Sequence, residues 1–462
     1  MKDLPQPLTI VYVMGSIFML LVGCTDAPVV ELSTYFIDQD QVAEAIEAAE
    51  DATGLSVLSG EIEGAAWVGQ IPENWNGDLL IYAHGYRGEM PDLTVSLAPE
   101  FGFLVEQGYA WAASSYRRNS YDADIGVQDT YNLTIMMQEL LSERGELDKT
   151  YITGWSMGGH ITVAAIEQYP SLYQGALPMC GALGDVELMD FFLDYNVGAA
   201  AIAGLPSTYA WPDNDWMTTT AMDIKTALST DPDGAWAGGR AHMQGGPLPL
   251  TERGETFKSF VEASSGGERV TFDLAWIFWH GLADSTGNFF FSLGANDGTI
   301  ADRPGLVAQN SDMSYEGEYG FDIDDQVKRQ TAASRNRNPE TRDLPAVIVN
   351  GTPDIPVLSV HTTGDLLVPI SMQQVYAQEV ENNGRSHLLV QRAIRDVGHC
   401  SFTAEEIRQS YTDLFNWVET GERPEGEDLL NDMSTPTLGC QFTEGDGGSG
   451  LRSLVETCNI GD

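Results

Sequence analysis

Basic residues are scarce in this chain. Its 462 residues include 23 Lys and Arg against 68 Asp and Glu, which gives a formal net charge of -45. A surface of this sign repels phosphate before contact, so the composition argues against nucleic acid and other polyanions as partners. The acidic excess is spread along the whole chain, and we interpret it as a solvated, salt-tolerant surface rather than a binding tail.

An apolar run long enough to span a membrane is also missing near the N-terminus. The run over residues 8–22 is shorter than the roughly 20 residues that a spanning helix needs. It follows Lys2 and ends at Cys24, which predicts a cleaved signal peptide over residues 1–23. Residues 21–24 resemble the lipobox of bacterial lipoproteins, in which the cysteine is acylated and becomes the new N-terminus.

This resemblance implies lipidation of Cys24, export, and a membrane tether that faces the periplasm or the cell exterior. An uncleaved segment with an incidental cysteine is the alternative. Residues 24–54 are then expected to form a linker and an N-terminal segment.

Cysteine is sparse, with five residues in all. Setting Cys24 aside leaves an even number in an oxidising compartment. Cys440 and Cys458 lie in a Gly-rich C-terminal tail (residues 423–462), where a bridge would close an unsupported loop, and Cys180 and Cys400 then pair by elimination. No His, Cys and Asp cluster has metal-ligand spacing, and no GxGxxG opens a βαβ unit. We therefore expect neither a metal nor a cofactor.

The rest of the composition is that of a globular protein, with 43% hydrophobic and 10% aromatic residues. Continuous apolar runs bounded by turn residues predict strands that are buried on both faces of a parallel sheet. These runs lie at residues 78–83, 109–113, 151–154, 175–179, 356–360 and 387–390. Helical patterns separate several of them, as at residues 133–141 and 161–169. The alternation predicts right-handed βαβ units and a mostly parallel sheet covered by helices.

The alternation stops after Cys180 and resumes at Pro356. A structureless loop of roughly 170 residues is improbable in a compact domain, so a folded cap is predicted at residues 184–353, between core segments 55–183 and 354–422. Aromatic residues are frequent in the cap, and they either line an apolar substrate pocket or form the core of the cap itself. They include Trp211, Trp216, Trp236, Trp276, Trp279 and Phe289–Phe291.

A GxSxG motif from Gly154 to Gly158 stands between a predicted strand and a predicted helix. Side chains beside the serine would clash in so tight a turn, which explains the two glycines. The N-terminus of the following helix offers partial positive charge to a developing oxyanion. The motif predicts Ser156 as a nucleophile, with an ordinary turn serine as the alternative.

A serine nucleophile needs a general base, and the base needs an acid that fixes its tautomer. Of seven histidines, His399 is the one expected in a loop between the last predicted strand and the final helix, residues 403–419. Asp365 follows the strand at 356–360 in a Gly-Asp loop, with room for one helix and one strand before His399. Asp396 is a rival acid, although its position is more typical of a turn residue. We therefore predict catalytic Ser156, Asp365 and His399.

The segment His84-Gly85-Tyr86-Arg87-Gly88 resembles the HGxxG loop of lipases and esterases. The resemblance implies an oxyanion hole formed by the backbone N–H of Tyr86 and that of Met157, next to the serine. A Gly-rich turn with a structural histidine is the alternative.

Two arginines follow the strand at 109–113. Arg117 and Arg118 either hold a substrate carboxylate or form intramolecular salt bridges. Because the protein is so acidic, we expect these arginines to form salt bridges within the chain.

Taken in order, these motifs resemble the α/β-hydrolase superfamily over residues 55–182 and 354–422. The resemblance implies an α/β-hydrolase fold with a large cap between the sixth strand and the acid loop. The Cys180 and Cys400 pair resembles the disulfide that joins the serine and histidine loops in tannase- and feruloyl-esterase-like enzymes, although Trp155 stands where those enzymes carry a cysteine.

The implied function is an exported serine hydrolase that cleaves small-molecule carboxylic esters through an acyl-enzyme. A peptidase or aryl amidase of the same fold, similar to prolyl oligopeptidases or to phthalyl amidase, is the first alternative. A non-catalytic, lipid-anchored binding protein is the second.

Overall fold

The computed structural model describes residues 35–234, 236–243, 245–281, 289–293, 306–337, 348–431, 433–444, 451–455 and 458. The predicted signal peptide and the predicted lipidation at Cys24 lie outside these residues. Within the described ranges, no helix combines the length and the apolar character needed to cross a membrane.

The strands in the described residues are β1 (Phe36–Ile37), β2 (Leu58–Ile62), β3 (Ala65–Gln70), β4 (Leu79–Ala83), β5 (Asp92–Leu93), β6 (Ala110–Ser114), β7 (Thr150–Trp155), β8 (Gly175–Met179), β9 (Val357–Thr362) and β10 (Leu389–Ile394). The α-helices are α1 (Gln39–Thr53), α2 (Phe101–Glu106), α3 (Ala123–Ser142), α4 (Met157–Gln168), α5 (Glu187–Ala203), α6 (Thr220–Leu228), α7 (Glu252–Ser264), α8 (Phe272–Gly281), α9 (Phe289–Ser292), α10 (Tyr315–Tyr319), α11 (Ser334–Arg337), α12 (Ser371–Asn382) and α13 (Ala404–Thr420).

The main sheet has eight strands in the order β10-β9-β8-β7-β4-β6-β3-β2. Strands β4 and β6 to β10 pair in parallel, whereas β3 pairs antiparallel with β2 and with β6. The predicted mostly parallel sheet is therefore confirmed.

The antiparallel hairpin of β2 and β3 was not predicted. Its two-residue turn has positive φ at Glu63 (51°) and at Gly64 (91°), which is typical of a type I′ hairpin. Strand β2 is half-exposed at this edge, so it lacks the continuous apolar run by which the other strands were recognised.

Both faces of the sheet are covered by helices. Along β4, Leu80 and Tyr82 pack in a cluster with residues of α1, α2 and α13. Leu79 and Ile81 point to the opposite face, where the apolar residues of α3 pack. This alternation follows from the two-residue period of a strand, and it explains why the strands are apolar throughout.

The parallel register aligns the carboxyl ends of four adjacent strands. Trp155 pairs with Met179, Met179 with Val360, and Thr362 with Ile394. The loops that follow β7, β8, β9 and β10 therefore leave the sheet along one edge, and they carry the predicted catalytic residues.

The described residues between β8 and β9 contain helices α5 to α11 and contribute no strand to the main sheet. Most of the aromatic residues singled out in this segment belong to one buried cluster, so they form its core rather than an open pocket. The same cluster includes Leu366, which adjoins the predicted acid, and Val397, which stands two residues before the predicted histidine. The apolar core of the insertion thus reaches the edge of the sheet that holds the candidate site.

Candidate active site

Ser156 occupies a sharp turn between β7 and α4, with φ 59° and ψ −123°. A non-glycine residue in this region costs about 1 to 3 kcal/mol, so the surrounding packing must hold it there. A Cβ added at Gly154 would lie 2.0 Å from the Gly158 carbonyl oxygen, and one added at Gly158 would lie 2.0 Å from the Ala83 carbonyl oxygen. Only glycine fits at both positions, as the motif predicted.

Asp365 and His399 are in direct contact. The fully buried Asp365 carboxylate accepts a hydrogen bond at Oδ2 from His399 Nδ1, at 2.5 Å. Its Oδ1 accepts the backbone N–H groups of Leu367 (2.9 Å) and Val368 (3.1 Å). Because an ionised carboxylate only accepts, Nδ1 carries the proton and Nε2 keeps its lone pair. His399 Nε2 is shielded from solvent and has no hydrogen-bond partner among the described residues.

The rival acid, Asp396, is a turn residue. Its Oδ1 accepts the N–H groups of Val397 (2.7 Å) and Gly398 (3.0 Å), and its Oδ2 accepts from Arg452 Nε at 2.8 Å. Both oxygens are thus occupied in shaping and bracing the histidine loop, and the contact with the imidazole is made by Asp365.

A disulfide ties the histidine loop to the residue after β8, next to the serine turn. Cys180 and Cys400 form a disulfide with their Cα atoms 5.3 Å apart, so this pairing prediction is confirmed, and Cys440 and Cys458 form the other predicted pair. Cys400 adjoins His399, while Cys180 follows Met179, whose carbonyl accepts the Ser156 N–H at 3.1 Å. One short path of bonds therefore connects the serine turn to the histidine.

The loop from His84 to Gly88 lies against the serine. A Cβ added at Gly85 would be 3.0 Å from the Trp155 carbonyl oxygen and 3.1 Å from Ser156 Cβ. The side chain of Tyr86 is exposed and its hydroxyl donates to Glu89 Oε1 at 2.8 Å. The two predicted oxyanion-hole donors belong to this loop and to the turn of the serine, since Met157 is the first residue of α4.

His84 itself has a structural role in this loop. Its ring nitrogens face the carbonyl oxygens of Gly85 (2.7 Å) and Ser115 (3.1 Å), and its ring stacks on Tyr116 with centroids 4.0 Å apart. Burial lowers the pKa of His84 to about 3, so the ring is neutral. The histidine thus supports the loop without taking part in proton transfer.

These features together define the architecture: a mostly parallel eight-stranded sheet, a strained GxSxG turn, and an acid and a histidine that follow later strands at the same edge. The chain has the α/β-hydrolase fold.

Comparison with known proteins gives one distant relative of similar length. The chain is 23% identical to o-phthalyl amidase from Xanthobacter agilis over 418 residues, which cover 80% of this chain and 88% of the relative. No family model matches the sequence.

Solved structures with similarity to this α/β-hydrolase fold include esterases and peptidases. Feruloyl esterase B from Aspergillus oryzae has a TM-score of 0.46 and 14% identity, with 80% of each chain covered. An acylaminoacyl peptidase from Pyrococcus horikoshii has a TM-score of 0.39 and 10% identity, with 82% of this chain and 44% of that chain covered.

The two arginines near this edge of the α/β-hydrolase sheet are both in ion pairs. Arg117 contacts Glu63 (3.1 Å) and Asp129 (3.2 Å), and Arg118 lies 3.6 Å from Asp122. Of the two uses considered for these arginines, the structure shows the salt bridges within the chain. The surrounding carboxylates neutralise both guanidinium groups locally.

One group of side chains has ligand atoms at metal-binding distances. Among the described residues, Cys180, His399 and Cys400 bring such atoms within 4.8 Å of one another. The two sulfur atoms are bonded to each other, however, and the thiolate rather than the disulfide is the metal ligand. The cluster is therefore a disulfide packed beside the imidazole.

Three residues around Asp365 were not found by sequence reasoning. His361 donates from Nε2 to the Val368 carbonyl at 2.8 Å, and burial lowers its pKa to about 4. Arg269 and Trp279, from the insertion, contact the acid loop about ninety positions away along the chain. No local sequence pattern signals contacts at that separation.

Proposed function

We propose that this chain is a serine hydrolase that cleaves a carboxylic ester or amide through an acyl-enzyme. The distant sequence relationship to an amidase supports a hydrolase of the α/β fold. The observation that carries the proposal is the 2.5 Å hydrogen bond between Asp365 and His399. The Cys180–Cys400 disulfide links the histidine loop to the end of β8, whose Met179 carbonyl accepts the N–H of Ser156 in its strained turn.

In the proposed mechanism the Ser156 hydroxyl attacks the substrate carbonyl carbon while His399 Nε2 accepts its proton. Asp365 stabilises the resulting imidazolium through its contact with Nδ1, and two backbone N–H groups hold its carboxylate in place. The N–H groups of Met157 and Tyr86 are proposed to bind the oxyanion. His399 then protonates the leaving oxygen or nitrogen, and water repeats the sequence to release the acid.

The free Nε2 of His399 supports its role as the base. Since Nδ1 carries the proton that Asp365 accepts, Nε2 is the ring nitrogen with an available lone pair. Its shielding from water also favours proton transfer to and from a bound substrate rather than bulk solvent.

For the bond that is cleaved, we propose a carboxylic ester as the first candidate. The similarity to o-phthalyl amidase over most of both chains favours an amide as the second. The fold by itself does not decide between them, because the same fold hosts both esterases and amidases.

Export and acylation of Cys24 are part of the proposal. They are supported by residues 21–24 and by the two disulfides, since disulfides persist mainly in oxidising compartments.

The test compares wild type with Ser156→Ala on p-nitrophenyl acetate, p-nitrophenyl butyrate and a matched p-nitroanilide. Loss of the nucleophile is expected to lower kcat by about 10⁴-fold or more. Equal turnover by the two proteins would contradict the proposal, and a preference for the anilide would place the amide first. Labelling with a fluorophosphonate probe, followed by peptide mapping, is expected to find the adduct on Ser156, whereas absence of labelling would favour a non-catalytic binding protein.

A further inference from the structure

One tryptophan of the insertion bridges the two loops that carry the acid and the histidine. Trp279 lies on α8, and its indole Nε1 is 3.0 Å from the Gly364 carbonyl oxygen and 2.9 Å from the Val397 carbonyl oxygen. Gly364 directly precedes Asp365, and Val397 stands two residues before His399. A single N–H group is therefore shared between the acid loop and the histidine loop.

The contact is deeply buried on both sides. Trp279 is 6% exposed, while Asp365 and Val397 are fully buried. Buried carbonyl groups without a donor are costly, so the indole N–H favours the one arrangement in which both carbonyls converge on it. The separation of the two loops is thereby coupled to the position of α8.

Two further side chains of the insertion hold the same acid loop. Arg269 donates from Nε to the Thr363 carbonyl at 2.6 Å, and Thr271 Oγ1 donates to Thr363 Oγ1 at 2.9 Å. Thr363 stands two residues before Asp365. Arg269, Thr271 and Trp279, which we call the brace, thus contact the acid loop at consecutive positions.

The two loops also contact each other directly, through the Gly364 N–H and the Asp396 carbonyl at 2.8 Å. Thr362 Oγ1 also donates to the Gly398 carbonyl at 2.8 Å, and the Thr363 N–H donates to the Ile394 carbonyl at 2.9 Å. The indole contact adds to these bonds a link from α8 to each loop, and this link favours one orientation of the pair.

We propose that Trp279 is a positioning residue for the Asp365 and His399 pair, so that the insertion orients the catalytic base as well as covering the sheet edge. This inference rests on the proposed function of the pair. It identifies a role for the N–H group of Trp279 that is separate from the packing of its ring. A catalytic hydrogen bond must be held within a fraction of an ångström, and a misplacement of about 1 Å costs roughly a hundredfold in rate.

The test uses Trp279→Phe, which keeps an aromatic ring and removes the N–H group. The matched control is Trp276→Phe on the same helix, since Trp276 is also buried and its Nε1 donates to the Ala237 carbonyl at 2.9 Å, inside the insertion. Both variants lose one buried donor, and we expect similar losses of thermal stability. Only Trp279→Phe is expected to lower kcat, by about ten- to a hundredfold with KM nearly unchanged.

A second readout does not depend on turnover. In protein with labelled histidines, the proton shared by His399 Nδ1 and Asp365 should give a downfield NMR resonance, because the hydrogen bond is short and charge-assisted. We expect Trp279→Phe to shift or broaden this resonance, and Trp276→Phe and Ser156→Ala to leave it in place. If Ser156→Ala kept full activity, the proposed function would be wrong. The NMR resonance would still show whether the brace positions the Asp365 and His399 pair, because it does not depend on turnover.

Thr271→Val is a milder variant for use if Trp279→Phe does not fold. It removes only the hydroxyl contact with Thr363, and it is expected to move the same resonance and to lower kcat by about threefold. The proposal is overturned if Trp279→Phe and Trp276→Phe have equal kcat and the same imidazole resonance. Where Trp279→Phe does not fold, it is overturned if Thr271→Val alters neither quantity.

Discussion

Replacing Asp365 by Asn should inactivate the enzyme by reversing the tautomer of His399. The side-chain atom at the Oδ1 position accepts two backbone N–H groups, from Leu367 and Val368, and an amide nitrogen cannot accept them. The Asn oxygen must therefore take this position. Its NH₂ group then faces His399 Nδ1, which becomes an acceptor, and the proton moves to Nε2. A base that is already protonated at Nε2 cannot receive the serine proton.

The expected magnitude follows from the same contacts. The geometry of the loop is preserved, because the two backbone bonds to the side-chain oxygen remain. The loss is thus chemical, and an Asp-to-Asn change of this type lowers kcat by about 10⁴-fold, or about 5 kcal/mol of transition-state stabilisation. KM should change little, since Asp365 is fully buried and is not exposed to substrate.

The assay measures kcat and KM on p-nitrophenyl acetate for wild type, Asp365→Asn and Asp396→Asn. Asp396 is the matched control, because it also accepts two backbone N–H groups and lies in the adjacent loop without contacting the imidazole. We expect the Asp396→Asn variant to retain most of the activity. It should lose some stability, because the ion pair between residue 396 and Arg452 is weakened. Retention of a tenth or more of kcat by Asp365→Asn, or an equal loss in Asp396→Asn, would refute the reasoning.

Two further predictions concern stability. Replacing both Cys180 and Cys400 by Ser should lower the free energy of unfolding by up to about 5 kcal/mol, because the bridge spans 220 positions, against about 3 kcal/mol for Cys440 and Cys458, which span 18. Denaturant unfolding measures which variant loses more free energy of unfolding. We expect kcat to fall only in the variant that lacks the Cys180–Cys400 bridge. Asp194→Asn should reduce the loss of stability at rising pH, since burial raises the pKa of Asp194 to about 8 in the folded protein.

The sign of the Asp194 effect follows from linkage. The folded-state pKa lies above the unfolded value of 3.8, so the stabilising contribution is complete below about pH 4 and is lost as the pH rises toward 8. The slope from one such group is at most about 1.4 kcal/mol per pH unit. Asn cannot ionise, and its side-chain oxygen still accepts from the Tyr315 hydroxyl, a 2.5 Å bond in the wild type. Urea unfolding at pH 5 and pH 7.5 measures the difference, and identical pH dependence in the two proteins would contradict the prediction.

Local patterns in the sequence were sufficient to predict the parallel strands of the sheet. The buried run of β4 and the glycines around Ser156 depend on strand periodicity and on the sterics of one turn, which act over a few residues. The half-exposed β2 escaped prediction because its pairing with β3 is favoured by a turn and an edge position rather than by an apolar run.

Chain order predicted Asp365 over Asp396, and the tertiary structure shows why the two carboxylates differ. Asp365 lies opposite His399, whereas both oxygens of Asp396 are taken by its own loop and by Arg452. Spacing along the chain ranks such candidates, but the direction of a side chain depends on how its loop packs.

By itself, the sequence determined the parallel part of the sheet, the serine turn, and the order of the acid and the histidine, because each depends on local geometry or on the order of elements. The disulfide partners followed by elimination from the small number of cysteines. Only the tertiary structure decided how the insertion engages the site. Trp279 reaches Gly364 and Val397 across 85 and 118 positions. No repeating pattern in the sequence signals such a contact, because it forms only after the insertion has packed its own core against the edge of the sheet.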